Sequence, residues 1–297
     1  MGSAETERPL GEVFDSVAED YDLVRQGYPA VLVDAAVARG RLVAGSRVLE
    51  VGCGTGKLTE LLAARELIVD AVDPGPRMVE QAKRRVGGNN DVRFHIGRFE
   101  DVALPEAEFD AIFSATAFHW VDPHIGWAKA ASHLRPGGLL ALLAHMTVHD
   151  ERSVAADEGF RALLRKHAPT VPEAHSQTRH LDAILAGARD RVANASEVWD
   201  WVMGAGRRHL ANLDAADLFE DVDVTSHVAT IEETADELLA HFRTTSLYFE
   251  IEPEHRQAFE DDDRQLIEGL GGVVTFSLAT LLMTARRTSD SLRETDA

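Results

Sequence analysis

Residues 48–56, with the sequence VLEVGCGTG, restrict the possible folds of this chain more than any other stretch. An apolar run ends in an acid and a valine, and glycine then occupies every second position. A chain gives up side chains in this way where a ligand passes close to its backbone at the end of a strand. Nicotinamide binding needs the spacing G-x-G-x-x-G, but the residue at the required position is Lys57. The loop therefore predicts a different nucleoside ligand.

The alternation of short apolar runs with amphipathic helical stretches predicts the fold class. From Arg47 to about residue 150 strands and helices follow each other in turn, which is typical of a parallel sheet with helices on both faces. Several helical stretches then interrupt the pattern before two more apolar strands. We therefore predict an α/β fold, a doubly wound, mostly parallel seven-stranded sheet with a helical insertion before its last two strands.

The same pattern predicts the organisation of the chain. We expect five consecutive parts: an N-terminal tail with two first helices (1–45), a cofactor-binding α/β core (46–150), a helical insertion that caps the substrate (151–218), the completion of the core (219–287) and a disordered tail (288–297). Insertions above a sheet edge usually build the substrate side.

Composition excludes several classes of function. The net charge of −20, from 50 acids and 30 bases, disfavours a nucleic-acid partner because such a surface repels phosphates. No apolar run approaches the roughly 20 residues that span a bilayer, and we predict no membrane partner. A single cysteine, Cys53, excludes an internal disulfide and a cysteine-based zinc site, and we predict no metal. The default location is the cytoplasm.

Asp73 is a second indication, beside the glycine loop, of a nucleoside ligand. It ends the second predicted strand, nineteen residues beyond Gly54 (73 − 54 = 19). An acid at this position of a nucleotide-binding sheet accepts hydrogen bonds from ribose hydroxyls.

These motifs resemble those of a known family. VLEVGCGTGKLT, with Asp73 after it, is similar to the first two motifs of class I S-adenosylmethionine-dependent methyltransferases, and HIGRFEDVALPEAEFDAIFSATAFHWVDP and LRPGGLLALL are similar to the later ones. The strings AFHW (117–120) and FDSVAEDYDLVRQGYP (14–29) most resemble a small-molecule branch that includes trans-aconitate methyltransferases. The resemblance covers residues 14–145 well and 219–286 more loosely. It implies a Rossmann-like methyltransferase core with S-adenosylmethionine as cofactor.

The resemblance also implies roles for individual residues. Asp73 would bind the ribose, Pro74 and Met78 would pack near the adenine, and Arg25 would be available to the cofactor carboxylate. The full cofactor-binding set that it implies is Tyr21, Arg25, Glu50, Gly52, Gly54, Gly56, Asp73, Pro74, Met78, Arg98, Phe99, Glu100, Thr116 and Phe118. His119 is the candidate catalytic residue, either as a general base or in positioning.

The acceptor site is predicted from later residues. The candidates are Trp120, His145, Trp199, Arg243 and Tyr248. Arg243, within HFRTTSLYF (241–249), would bind an acceptor carboxylate through two hydrogen bonds. A carboxylate is already ionised at neutral pH and needs no general base, which would free His119 from catalysis.

We therefore expect methyl transfer from S-adenosylmethionine to a small-molecule acceptor, at a carboxyl or hydroxyl group of a metabolite or biosynthetic intermediate. An N- or C-methyltransferase of a secondary metabolite is the alternative. A nucleic-acid methyltransferase is more remote, since SATAFHW follows the fourth strand in place of the Asn/Asp-Pro-Pro-aromatic string. A non-catalytic nucleoside-binding protein is a further alternative. The acceptor's identity and the oligomeric state stay open.

Overall fold

A seven-stranded sheet forms the centre of the computed structural model, which describes residues 10–172, 177–204, 215 and 217–289. The strand order is β3-β2-β1-β4-β5-β7-β6. Strands β1 to β5 pair in parallel, and β7 runs antiparallel to both β5 and β6. The strands are β1 (Arg47–Val51), β2 (Ile68–Asp73), β3 (Val92–Ile96), β4 (Phe109–Ala115), β5 (Leu134–Val148), β6 (Phe219–Thr234) and β7 (Val273–Arg287). The predicted fold class is confirmed.

Helices cover both faces of this sheet. Those of the first half are α1 (Ala18–Val24), α2 (Ala30–Gly40), α3 (Lys57–Ala63), α4 (Pro76–Arg85) and α5 (Pro123–His133), with short 3₁₀ helices at Leu10–Val17 and Phe118–Trp120. Between β5 and β6 lie α6 (Val154–His167), α7 (Leu181–Arg189) and α8 (Ala195–Met203), and between β6 and β7 lie α9 (Ala235–Phe242), α10 (Ser246–Phe249) and α11 (Pro253–Gly269). Helices α6 to α8 form the insertion; their role as a substrate cap stays a prediction.

The central strands are buried on both faces, as alternating side chains show. In β1, Leu49 belongs to one apolar cluster and Val48 to the other, and neither has any exposed surface. In β4, Ile112 and Phe113 are divided between the two clusters in the same way. Strands buried on both sides read as continuous apolar runs, which is why the sequence pattern located them.

The later helices pack on one another as well as on the sheet. Leu164 of α6, Phe242 of α9 and Phe259 of α11 share a separate apolar cluster. Helix α6 of the insertion therefore joins α9 and α11 in one layer. No helix in the described part of the chain is long and apolar enough to cross a membrane. The predicted terminal tails fall mostly on residues 1–9 and 290–297, which lie outside the described residues.

Candidate functional site

The glycine loop after β1 packs closely against other parts of the chain at two of its glycines and faces open space at the third. Gly52, Gly54 and Gly56 all have positive φ angles, of 73°, 53° and 84°. A Cβ atom on Gly52 would lie 2.2 Å from the Cβ of Ala117, so the loop packs tightly against the segment after β4. A Cβ on Gly54 would meet nothing within 4 Å. Gly54 is therefore the point of the loop that a ligand approaches.

Asp73 ends β2 directly beside this loop. Its Oδ2 accepts a hydrogen bond from the Gly54 amide at 2.9 Å, and its Oδ1 accepts one from the Gly75 amide at 2.8 Å. Burial raises the pKa of this carboxyl to about 6 although both amides favour the ionised form. Each carboxylate oxygen has more than one lone pair, so Asp73 can accept further hydrogen bonds from a ligand.

A cavity of about 830 Å³ opens at the carboxyl ends of the parallel strands and contains both features. This volume is within the usual range for small-molecule sites. The predicted site residues that line it are Tyr21, Arg25, Glu50, Gly52, Gly54, Asp73, Pro74, Met78, Arg98, Phe99, Glu100, Thr116, His119, Trp120 and His145. Most of the predicted cofactor set thus surrounds one space.

Two predicted cofactor residues lie behind the cavity wall. A Cβ on Gly56 would be 2.8 Å from the Cα of Ala82, so this glycine serves the contact between the loop and α4. Phe118 is only 4% exposed, and its ring packs edge-on against Trp127 with centroids 5.1 Å apart. Gly56 therefore acts on the shape of the loop, and its place in the predicted cofactor set stays a prediction. Phe118 packs behind the wall, which corrects its predicted contact with the cofactor.

Three predicted acceptor residues also lie outside the cavity lining. Trp199 is 3% exposed and belongs to the main apolar cluster. The Arg243 Nε donates to Glu260 Oε1 at 2.8 Å, and the Tyr248 hydroxyl donates to the same oxygen at 2.8 Å. The Glu260 carboxylate already neutralises this guanidinium. The prediction that Arg243 and Tyr248 bind an acceptor carboxylate is therefore corrected to a structural ion-pair network.

We call the part of the cavity around Gly54 and Asp73 the nucleotide side. The N-terminal segment makes contacts beside it that the sequence did not predict. Asp15 Oδ1 accepts hydrogen bonds from the backbone amides of Arg77 and Met78, at 2.7 and 3.2 Å, and so caps the start of α4 from another part of the chain. Arg85 Nη2 donates to Asp22 Oδ1 at 2.6 Å. Helix α1 is thus fastened beside the glycine loop. No spacing signal links residues so far apart in the chain.

A row of hydrogen-bonded and stacked side chains lies between β4 and β5. The Tyr28 hydroxyl donates to Thr116 Oγ1 at 3.1 Å, and its ring stacks on His145 with centroids 4.6 Å apart. Thr116 has a φ of 53°, which β-branched residues rarely adopt and which marks stored strain at functional sites. His145 Nδ1 and Thr280 Oγ1 share a hydrogen bond of 2.9 Å.

The row is uncharged at neutral pH. Burial, with a contribution from the charge of Arg25, lowers the pKa of His145 to about 4. Burial likewise raises the pKa of the Tyr28 hydroxyl above its usual value. This part of the wall therefore presents neutral polar groups.

Three arginines line the cavity, and one of them, Arg98, is paired with Glu100 at 3.0 Å. Arg25 donates from Nε to Thr244 Oγ1 at 2.9 Å and from Nη2 to the Thr244 carbonyl at 2.6 Å, which ties the N-terminal segment to the end of α9. Arg179, which the sequence did not single out, donates to the carbonyls of Trp201 and Val202 at 2.8 and 2.5 Å. Within the described residues no acid pairs with Arg179, so its charge is available to a ligand.

This sheet, with its glycine loop, its acid at the end of β2 and its antiparallel last strand, has the fold of a solved methyltransferase structure. A solved structure of a putative type II methyltransferase from Anaeromyxobacter dehalogenans has the same fold, with a TM-score of 0.58 and 21% identity over 89% of this chain and 97% of that one. Residues 49–142 match the family model of a methyltransferase domain.

Two relatives in sequence refine this assignment. An uncharacterized methyltransferase of Mycobacterium tuberculosis is 36% identical over 145 residues, which are 49% of this chain and 56% of the relative. A trans-aconitate 2-methyltransferase of Methylobacterium nodulans is 33% identical over 175 residues, 57% of this chain and 60% of the relative. The chain thus spans only somewhat more than half the length of these relatives.

Residues 49–142 thus match a methyltransferase domain, and the chain resembles the trans-aconitate methyltransferases over part of its length. The predicted resemblance to methyltransferases, the trans-aconitate branch among them, is confirmed. The activity of this chain and its use of S-adenosylmethionine stay proposals.

Proposed function

We propose that this protein transfers a methyl group from S-adenosylmethionine to a small-molecule acceptor inside the cavity. The observation that carries the proposal is the pair formed by Gly54 and Asp73: open space above a glycine without a side chain, and beside it a buried carboxylate with free lone pairs. A nucleoside with ribose hydroxyls suits this pair.

The chain's own residues divide the work of holding the cofactor. Asp73 would accept the ribose hydroxyls, while Pro74, Met78 and Phe99 offer apolar surface to the adenine. When bound, the cofactor supplies an electrophilic methyl group on a sulfonium. Aromatic faces stabilise such a cation, and Trp120 and Tyr21 both pack around Phe14, each with centroids 5.9 Å away. The remaining work is alignment of the reacting groups and exclusion of water.

For the acceptor, we favour a carboxyl group over a hydroxyl group. The neutral His145 imidazole, with a pKa of about 4, is a weak base for an alcohol. A carboxylate needs no base, and Arg179 replaces Arg243 as the cation available to it. N- or C-methylation of another small molecule is the alternative. The catalytic role of His119, which lines the cavity beside Trp120 with centroids 4.7 Å apart, stays a prediction.

A small molecule suits the charge of this chain better than a nucleic acid does. The net charge of −20 opposes phosphate backbones. The cytoplasmic location predicted from the composition stays a prediction.

Calorimetry with S-adenosylmethionine, S-adenosylhomocysteine and NADH tests the cofactor. Asp73→Ala should weaken binding of the adenosyl compounds by about 1–3 kcal/mol, because a buried hydrogen-bond acceptor is lost. Asp101→Ala, which removes an exposed acid in the turn after β3, is the matched control and should bind as the wild type does. Binding of NADH in place of the adenosyl compounds would refute the proposal. A methyl-transfer screen against carboxylic acids, phenols and amines would then identify the acceptor class.

A further inference from the structure

The cavity continues beyond the nucleotide side into a second, apolar space between α6, α9, α11 and β7. We call this space the β7 lobe. The side chains that line it and pack together are Ala156, Leu238, Ile267, Val274, Phe276 and Leu278. None of the residues predicted from the sequence belongs to it. Its walls suit the hydrocarbon or ring part of a ligand.

One carboxylate interrupts these apolar walls. Phe259, Asp263 and Ile267 follow each other at intervals of four along α11 and so share one face of the helix. Phe259 and Ile267 are 0% and 1% exposed, as core residues should be. Asp263 is equally buried, at 2% exposed, and it lines the cavity. An acid thus occupies a position where the helix pattern calls for an apolar side chain.

Nothing in the described part of the protein satisfies this carboxylate. The buried Oδ1 of Asp263 has no hydrogen-bond partner there. The adjacent Arg264 pairs with the exposed Asp236, with Nε 3.1 Å from its Oδ1. Burial accordingly raises the pKa of Asp263 to about 6. A buried polar group without a partner destabilises a fold, and packing alone does not explain why an acid stands here.

The other titratable side chains that line this end of the cavity, Asp157 and His241, already have hydrogen-bond partners. Asp157 accepts a hydrogen bond from Ser153 Oγ at 3.2 Å. His241 lies 3.3 Å from Glu233, measured between Nδ1 and Oε1. Of the two carboxylates at this end of the described cavity, Asp263 is therefore the one whose buried oxygen has no hydrogen-bond partner.

We propose that the β7 lobe binds the apolar body of the acceptor and that Asp263 binds an ammonium group carried by that body. This inference rests on the proposed function, because it assigns the acceptor of the same cavity. The ammonium group would supply the hydrogen bonds that the carboxylate lacks, and an ion pair in an apolar site discriminates against neutral and anionic groups. The acceptor is thus an elongated amine with its methylated group at the other end.

Calorimetry with two matched probes, octylamine and 1-octanol, tests this assignment. They have the same apolar chain, and at about pH 7.5 only octylamine is cationic. In the presence of S-adenosylhomocysteine the wild type should bind octylammonium roughly tenfold more tightly than octanol, and Asp263→Asn should abolish this preference. Asp261→Asn, on the exposed side of the same helix, is the matched control and should retain it. Equal affinity of the wild type for both probes, or an unchanged preference in Asp263→Asn, would overturn the proposal.

Two further measurements distinguish this proposal from a purely structural role of Asp263 and from a failure of the proposed function. Asp263→Asn should raise the Tm of the ligand-free protein, because an amide is less costly to bury than a carboxylate. A lower Tm would show that the carboxylate serves the fold, contrary to the proposal. Binding of S-adenosylhomocysteine should be the same in both variants and the wild type. If S-adenosylhomocysteine bound to none of the three proteins, the proposed function would be refuted. The preference for octylammonium is therefore also measured without S-adenosylhomocysteine, where its loss would refute the assignment of Asp263 alone.

Discussion

The nucleotide side and the β7 lobe of the cavity differ in whether their buried acids have hydrogen-bond partners. On the nucleotide side, Asp73 accepts hydrogen bonds from two backbone amides, and Glu50 accepts one from the hydroxyl of Thr59 at 2.6 Å. In the lobe, Asp263 has a buried oxygen without a partner. The first region is preorganised by its own chain, so that a ligand adds to a complete network. The second leaves a charge uncompensated, so that a ligand must complete it.

The largest expected effect tests the two glycines of the nucleotide side. Gly52→Ala should lower the free energy of unfolding by about 2–5 kcal/mol, because the new Cβ meets Ala117 in addition to the strained left-handed backbone. Gly54→Ala has the backbone strain alone and should cost about 1–2 kcal/mol. Denaturant unfolding measures both.

Binding separates the same two variants further. The Gly54→Ala methyl group occupies ligand space and should weaken S-adenosylhomocysteine binding by roughly tenfold or more. Octylammonium binding in the lobe should stay at the wild-type value in Gly54→Ala. Equal unfolding free energies for the two variants would contradict the assignment of Gly52 to packing and Gly54 to the ligand.

The second prediction concerns Arg243, which the structure moves from the acceptor site to the fold. Arg243→Ala should lower the free energy of unfolding by about 1–3 kcal/mol, because Glu260, only 5% exposed, loses its cation. The KM of the acceptor should be unchanged. Arg264→Ala breaks an exposed ion pair on the neighbouring helix and should change stability by less than about 1 kcal/mol. A raised KM without loss of stability would return Arg243 to the acceptor site.

The contrast between Asp73 and Arg243 shows how far the sequence could predict this site. Asp73 lies beside Gly54 because it ends β2 while Gly54 follows the neighbouring parallel strand β1, and local apolar runs in the sequence locate both strands. The seven strands were predictable for the same reason. Arg243 forms an ion pair with Glu260, and no periodicity in the sequence predicts which acid will pair with which arginine.

Long-range contacts explain the remaining misses. Arg25 bonds Thr244 across 219 positions, and Asp263 is one of three consecutive aspartates that the sequence presents alike. Only the packing of α11 on the cavity makes this one differ from Asp261 and Asp262. Tertiary packing thus determines which residues line the β7 lobe, whereas the positions of the strand ends determine which residues line the nucleotide side.

The smallest expected effect is a pH dependence that the two regions should show independently. Burial raises the pKa of Asp73 to about 6, and the nearby Asp15 carboxylate raises it further. If only the ionised form accepts the ribose hydroxyls, S-adenosylhomocysteine affinity should fall roughly fourfold from about pH 7 to about pH 5.5. Glu50, with a pKa of about 8, stays protonated throughout this range and adds no change.

Stability and binding should respond to pH with opposite signs. Because the pKa of Asp73 is higher in the folded state, its contribution to the free energy of unfolding should fall as the pH rises from 3.8 towards 6, while ligand affinity rises. The contribution is measured as the difference between the wild type and Asp73→Asn. Asp73→Asn should flatten the pH profile of S-adenosylhomocysteine binding and leave that of octylammonium binding intact. Asp263→Asn should do the reverse, since its own pKa is also about 6. A single variant that flattened both profiles would show that the two acids titrate as one site and that the cavity has one electrostatic region.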